Sequence, residues 1–283
     1  MFAAHGEVNE IAEAAPNLGI VYSGDKAQSL PYFAVFFGEE VGTDELAFAA
    51  GVCSEAATPE QDEATRYAIR LLLEFFRRIG PELILSQYRS MLQRIFRHIH
   101  LNLTKKWPEL GGLELCVLAV NTSTAYAARS GHGNIYLFHD EMARPLFPQA
   151  EGDDVPLLGT SPWKDPEIIE SPLEAGDIAV LLNPAMAKVM GIRDLTMILH
   201  RAPEPTKASL FLSAIAERKG AQGSLAAVLW EAPNYQGASL LTDKETAQGY
   251  GDVPAADARD EGKADQADQA KKHWLNLWRR GKS

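Results

Sequence analysis

Leu113–Leu146 reads LELCVLAV, NTST, AYAARSGHGNIYLFHDEMARPL. Leu115 to Val120 is an apolar run of strand length, and Asn121, Thr122 and Ser123 supply a turn. Ala125 to Phe138 is a second strand pattern of aromatic and small residues. Two such runs joined by a few polar residues predict a β-hairpin. Ser130-Gly131-His132-Gly133 interrupts the second run. Two glycines inside a strand mark a bend or a close backbone approach, so chemistry is expected at this interruption.

Working outward toward the N-terminus, residues 1–18 read as a loose start or an edge strand, and Gly19–Tyr22 as a short strand. Pro31–Gly38, PYFAVFFG, is apolar throughout and predicts a central strand buried on both faces. Glu45–Ala50 is read as opening a short helix. Thr58-Pro59-Glu60-Gln61 is a helix start, with Thr58 as cap and Pro59 in the first turn. Ala68, Leu72, Phe75 and Ile79 recur at helical spacing, and Gly80-Pro81 stops that helix. Ile84, Tyr88, Met91, Ile95 and Ile99 continue in a second helix. Helices over 59–79 and 82–104 are therefore expected as one antiparallel pair. His98 and His100 lie two residues apart on the second helix, point to different sides and cannot chelate together.

Toward the C-terminus, Pro145–Pro172 is proline-rich and reads as irregular. Leu173–Asp177 is a turn, Ile178–Leu182 a buried strand, and Asn183-Pro184 its end. Residues 185–200 and 206–219 read as helices, and Leu225–Trp230 as a last strand. From Thr242 to Ala270 large apolar side chains nearly vanish. Such a composition cannot bury enough surface to fold alone. The expected division is an N-terminal segment 1–18, a domain 19–233, a disordered linker 234–270 and a basic, tryptophan-bearing end 271–283.

Composition excludes several classes. The chain carries a net charge of −11. The part from Thr242 onward contains eight acids and eight bases, so the whole excess sits on the body. An acidic body argues against binding nucleic acid. Only Cys53 and Cys116 are present, without metal-type spacing or a disulfide framework. Cys116, inside an apolar strand, is expected as a buried thiol. The first residues carry acids and lack the basic and apolar regions of a secretory signal. No apolar run approaches the ~20 residues of a membrane span. A cytoplasmic location is the expectation.

The order of elements resembles the type-2C, PPM-type, metal-dependent serine/threonine protein phosphatases. YFAVFFG at 32–38 is similar to that family's F-A-V-F-D-G, and AARSGHGNIYL at 127–137 to its A-N-V-G-D-S-R-A-Y-L. LEAGDIAVLLNPAM at 173–186 is similar to L-x-x-G-D-x-L-L-L-x-S-D-G-L, and KGAQGSLAAVL at 219–229 to G-G-x-D-N-I-T-V-V-V. The resemblance covers about residues 19–231. It implies an α+β fold: a four-layer αββα sandwich of two antiparallel sheets flanked by helices.

In that family aspartates at strand ends hold two Mg²⁺ or Mn²⁺ ions, which activate water and orient phosphate. Matched motif by motif, the aspartate of D-G is Phe37, although its glycine persists as Gly38. The aspartate of G-D-S-R is His132, that of S-D-G is Pro184 and that of D-N is Gly223. The arginine that meets phosphate is Tyr22. Asp25 alone stands near the early acidic ligand. Phenylalanine, proline and glycine side chains offer a hard cation nothing. The expectation is a pseudophosphatase with no catalytic residues and no cofactor, acting as a binding or regulatory module in signalling, with Phe37 closing the former site.

Two other readings remain. A divergent phosphatase could rebuild its Mg or Mn site from Asp25, Glu39, Glu40, Asp153, Asp154 and Asp177. An unrelated enzyme is the third, but no nucleophile-elbow, P-loop or dinucleotide signature supports it. At the C-terminus Trp274, Leu277 and Trp278 fall on one helical face, amid Lys271, Lys272, Arg279, Arg280 and Lys282. This segment could fold back on the acidic body, lie on an anionic membrane as a peripheral contact, or anchor an unidentified protein partner. Each outcome gives residues 271–283 a recognition role.

Overall fold

The computed structural model describes residues 17–23, 33–37, 46–79 apart from 55 and 57, 87–150 apart from 122, 152, 155–223 and 225–233. Within them, two five-stranded antiparallel sheets pack face to face and carry helices on both outer sides. The chain runs β1 (Leu18–Ser23), β2 (Phe33–Phe37), β3 (Phe48–Cys53), α1 (Pro59–Ile79) and α2 (Tyr88–Lys106). It continues through β4 (Leu115–Val120), β5 (Thr124–Ser130), β6 (Asn134–His139), β7 (Met142–Pro145), β8 (Glu167–Pro172) and β9 (Ile178–Leu182). It ends with α3 (Pro184–Val189), α4 (Ile192–Arg201), α5 (Pro205–Arg218) and β10 (Leu225–Glu231). One sheet has the order β1-β10-β9-β6-β7, the other β2-β3-β4-β5-β8. This is the α+β sandwich expected.

Three buried layers follow from the alternation of side chains along the strands. Outward-facing residues of the β2–β8 sheet, such as Ala49, Cys53, Val117 and Ala128, meet Leu72, Phe76, Leu92 and Phe96 of α1 and α2. Inward-facing residues of both sheets, among them Leu118, Ile135, Leu181 and Val228, form the middle layer. Phe48 and Trp230 stack across it, 4.5 Å between ring centroids and 5° from parallel. Truncating such a buried ring to alanine costs about 3–5 kcal/mol. The outer face of the β1–β7 sheet packs on α3, α4 and α5 through Met186, Leu195 and Leu212.

Local chemistry explains the helix ends. The Thr58 hydroxyl accepts from the Gln61 N–H at 3.2 Å, capping α1. The Asn183 side chain accepts from the Met186 N–H at 3.2 Å, and Pro184 occupies the first turn of α3. The helix expected over 185–200 breaks at Met190 and Gly191, where Asp194 Oδ2 accepts from the Gly191 N–H at 2.8 Å and starts α4.

Four expectations need correction. Residues 48–50 open no helix: β3 lies between β2 and β4, and all its side chains are buried. Its alanines fit there because sheet and helices press on both faces. Consequently Phe33–Phe37 is an edge strand among the described residues rather than a central one. The run 125–138 is no single strand: β5 stays with β4, whereas β6 joins the other sheet beside β9. The irregular stretch 145–172 contains β8, paired along β5. The start expected for the second helix, residues 82–86, lies outside the described set, and α2 is described over Tyr88–Lys106.

Candidate functional site

The register of both sheets defines one end of the sandwich. In one sheet Tyr22 pairs with Ala226, and the Asn183 N–H donates to the Ala226 carbonyl at 3.0 Å. Leu182 pairs with Asn134, the first residue after the Ser130–Gly133 bend. In the other sheet Cys53 pairs with Leu115, and Leu115 with Ser130. The bend is thus the crossing point between sheets. Tyr22, His132, Pro184 and Gly223 gather at this end.

Phe37 does not. It pairs with Phe48, Phe48 with Val120, and Val120 with Ala125. That row lies five residues from the row of Leu115 and Ser130, about 17 Å along the strands. Its ring meets Phe48 edge-on at 5.5 Å. Phe37 therefore closes no site beside the bend, and the strand end that reaches the bend is Cys53-Ser54 of β3. Two apolar runs, each followed by small or acidic residues, look alike in sequence; only pairing separates them. Asp177 is also remote. It precedes β9 at the opposite end, where it accepts from the Glu174 N–H at 2.8 Å and meets His139 Nδ1 at 2.7 Å.

Gly131 has φ 102°, and a Cβ there would collide with the Glu114 side chain. Glycine thereby lets the Glu114 carboxylate accept from the His132 backbone N–H. His132 Nδ1 sits 3.3 Å from the same oxygen. Ser54 closes this corner: its N–H donates to the Glu114 carbonyl at 3.0 Å, and its hydroxyl accepts from the Glu114 N–H at 3.2 Å.

The bend's polar side chains converge on the described residues of one neighbouring stretch, 147–150, 152 and 155–158, which strap the end of the sandwich. Asn134 Nδ2 donates to the Phe147 carbonyl at 3.2 Å and Arg129 to the Pro148 carbonyl at 2.9 Å. His132 Nε2 meets the Gly152 carbonyl at 3.0 Å, and the Ser130 hydroxyl donates to the Pro156 carbonyl at 2.8 Å. Leu158 bridges Leu113 through paired backbone bonds of 2.9 Å. His100 of α2, buried with its ring tilted against Trp163 at 4.6 Å, accepts from the Gly159 N–H at 3.2 Å. Burial lowers the His100 pKa.

Other titratable groups here are equally occupied. Burial raises the Tyr22 hydroxyl, with Arg66 opposing and Asp62 adding to the effect. Asp62 pairs with Arg66 at 2.8 Å. Burial pushes the Cys116 thiol up to about 12 and Cys53 higher still. The two cysteines face opposite sides of their sheet, Cys53 toward the helices and Cys116 between the sheets, and both are free thiols.

Solved bacterial phosphatases share this architecture. The Mycobacterium tuberculosis serine/threonine phosphatase PstP/Ppp matches with a TM-score of 0.59 at 13% identity, over 77% of this chain and 98% of its own. Serine/threonine phosphatase Stp1 from Staphylococcus aureus matches at 0.63 and 13%, over 77% and 95%. PppA of Pseudomonas aeruginosa, a key regulatory component of T6SS, matches at 0.58 and 15%, over 76% and 96%. The fold is that of the PPM-type phosphatases. No protein-family model and no curated protein matches the sequence.

The mycobacterial PPM phosphatase has been solved with two manganese ions. A pair of hard cations needs several carboxylate oxygens at close range. At the bend end of the sandwich Asp62 is paired with Arg66, Glu114 is bonded to His132 and Glu167 is paired with Arg129. Among the described residues no group of three or more His, Cys, Asp or Glu could hold a metal. The described side chains at this end do not by themselves make a two-metal centre. Gly38, Asp25, Glu39, Glu40, Asp153 and Asp154 lie outside the described residues, as do Trp274, Leu277, Trp278, Arg279 and Arg280.

Sequence reasoning missed Glu114, Ser54 and Arg129. Arg129 had a signal, a charge alternating with Ala125 and Ala127 on one strand face. Glu114 and Ser54 had none, because only pairing brings residue 54 beside residue 114.

Proposed function

We propose that this chain is a non-catalytic PPM-type phosphatase-like domain, serving as a binding or regulatory module in cytoplasmic signalling. One observation carries the reading. The bend that would present a metal ligand instead commits Arg129, Ser130, His132 and Asn134 to the carbonyls of Pro148, Pro156, Gly152 and Phe147. Its place for an aspartate holds His132, and the strand end beside it holds Cys53-Ser54. Neither a thiol with a raised pKa nor a histidine bonded on both ring nitrogens replaces several carboxylates around a hard cation. The fold then offers surfaces rather than chemistry. Trp274, Leu277 and Trp278 would extend those surfaces toward a protein partner or an anionic membrane.

Hydrolysis of a phenyl phosphate by the full chain, with added Mn²⁺, tests the reading. No turnover above buffer is expected. Manganese-dependent hydrolysis that disappears in Asp25→Ala would establish the divergent phosphatase instead. For the C-terminal segment, Trp274→Ala with Trp278→Ala should reduce partner or vesicle binding; no change in binding or melting temperature would make it an inert end.

A further inference from the structure

Helix α2 departs from the charge of the body. Its 19 residues contain Arg89, Arg94, Arg97, Lys105 and Lys106 and no acid, in a chain of net charge −11. At 100° per residue, Arg94, Arg97, His98, Leu101 and Lys105 fall on one stripe about 100° wide and about 16 Å long. All five are exposed, and Leu101, at 57%, lies in the middle of the cations. The opposite face is spent on the core: Met91, Leu92, Ile95, Phe96, Ile99 and Leu103 are buried. Lys106, outside the stripe, pairs with Glu63 of α1 at 3.1 Å and stacks over Trp107. Among the described residues no acid pairs with Arg94, Arg97 or Lys105.

We propose that this stripe is a docking surface for an acidic, amphipathic protein segment. Charge complementarity selects an anion, and three features narrow it. Leu101 needs an apolar counterpart at the centre, which a phosphate backbone does not supply. Antiparallel α1 lies alongside with Glu60, Glu63 and Glu74 exposed, so a flat anionic membrane brought onto α2 would meet those acids too. The stripe is one helix wide, so a single helix or strand with acids around one apolar anchor fits between such repulsions. The surface is the outer face of α2, so it stands or falls separately from the non-catalytic reading of the sandwich end.

The test uses the full chain and a labelled helical peptide of glutamate, alanine and leucine, with its leucines on one face. Its binding is read by anisotropy beside phosphatidylserine vesicles and single-stranded oligothymidine. The expected result is peptide binding weakened by at least about tenfold in Arg94→Glu/Arg97→Glu/Lys105→Glu. It should also weaken between about 50 and about 200 mM salt, as screened charges require. Leu101→Ser should weaken it at either salt concentration, and Arg193→Glu/Arg201→Glu on α4 should leave it unchanged. If the charge-reversed protein melts early, Arg94→Gln/Arg97→Gln/Lys105→Gln is read in its place. Absence of peptide binding, binding that survives the α2 substitutions, or preference for vesicles or oligothymidine would each overturn the proposal.

Discussion

The Arg129 guanidinium donates to both carboxylate oxygens of Glu167 at 2.8 Å, directly across the β5–β8 pairing. It also lies over the Phe147 ring, 4.7 Å from its centroid, and donates to the Pro148 carbonyl. One buried cation thus ties down both ends of the segment between β7 and β8. Arg129→Met should cost about 2–4 kcal/mol, because the strap loses its donor and its cation. The Glu167 side chain is 39% exposed, so water replaces much of it. Glu167→Gln should cost nearer 1 kcal/mol. Urea unfolding of both variants checks the order; equal losses would mean that Arg129 matters only through the ion pair.

Two histidines should tilt the pH profile in opposite directions. Burial alone lowers the His100 pKa, and its Nδ1 accepts the Gly159 N–H. The unfolded chain then binds the proton more readily, so stability is full above the ordinary value and is lost as pH falls through the folded value. His139 is raised by its hydrogen bond to Asp177 and the charge of that carboxylate, with Asp140 and Glu174 adding to it. Its contribution is present below the ordinary value and is lost as pH rises through the raised one. Melting curves of His100→Asn should fall less on acidification than those of the parent. Those of His139→Gln should fall less on alkalinisation. Parallel curves would remove both assignments.

Gly131→Ala should lower stability by at least about 2 kcal/mol, through positive φ and the collision with Glu114 together. The double change Gly131→Ala/Glu114→Ala should recover the part due to collision. Thermal melts of single and double variants measure the coupling, and an unrelieved double variant would contradict the contact.

The helices and the last strands were legible because their periodicity is local. Ala68, Leu72 and Phe75 mark α1 whatever they pack against, and the all-apolar runs of β9 and β10 announce burial on both faces. β3 was not legible. FAAGVC is alanine-rich and becomes a strand only because β2 and β4 hydrogen-bond to it on either side. The sheet switch at Gly131–Gly133 was visible as a break, but nothing local shows that the second half of the run leaves for β9. The same gap misassigned the site. FAVFFG has the look of a strand leading to a catalytic end, yet five residues of register carry Phe37 to the other end.

That placement makes a direct prediction. Phe37→Asp should cost about 1–2 kcal/mol from the lost contact with Phe48. It should leave the response to divalent cations as it was, because the new carboxylate sits far from His132 and Pro184. A new Mn²⁺-dependent rise in melting temperature in this variant would contradict the register.

Calorimetric titration of the full chain with Mn²⁺ bears most directly on the non-catalytic reading. A PPM-type centre would bind cations through shared carboxylates with measurable heat. Here Asp62 and Glu114 are paired with Arg66 and His132 instead. The predicted result is heat of dilution alone, identical in the parent and in Asp25→Ala. Saturable binding of manganese in the parent, abolished by Asp25→Ala, would contradict it.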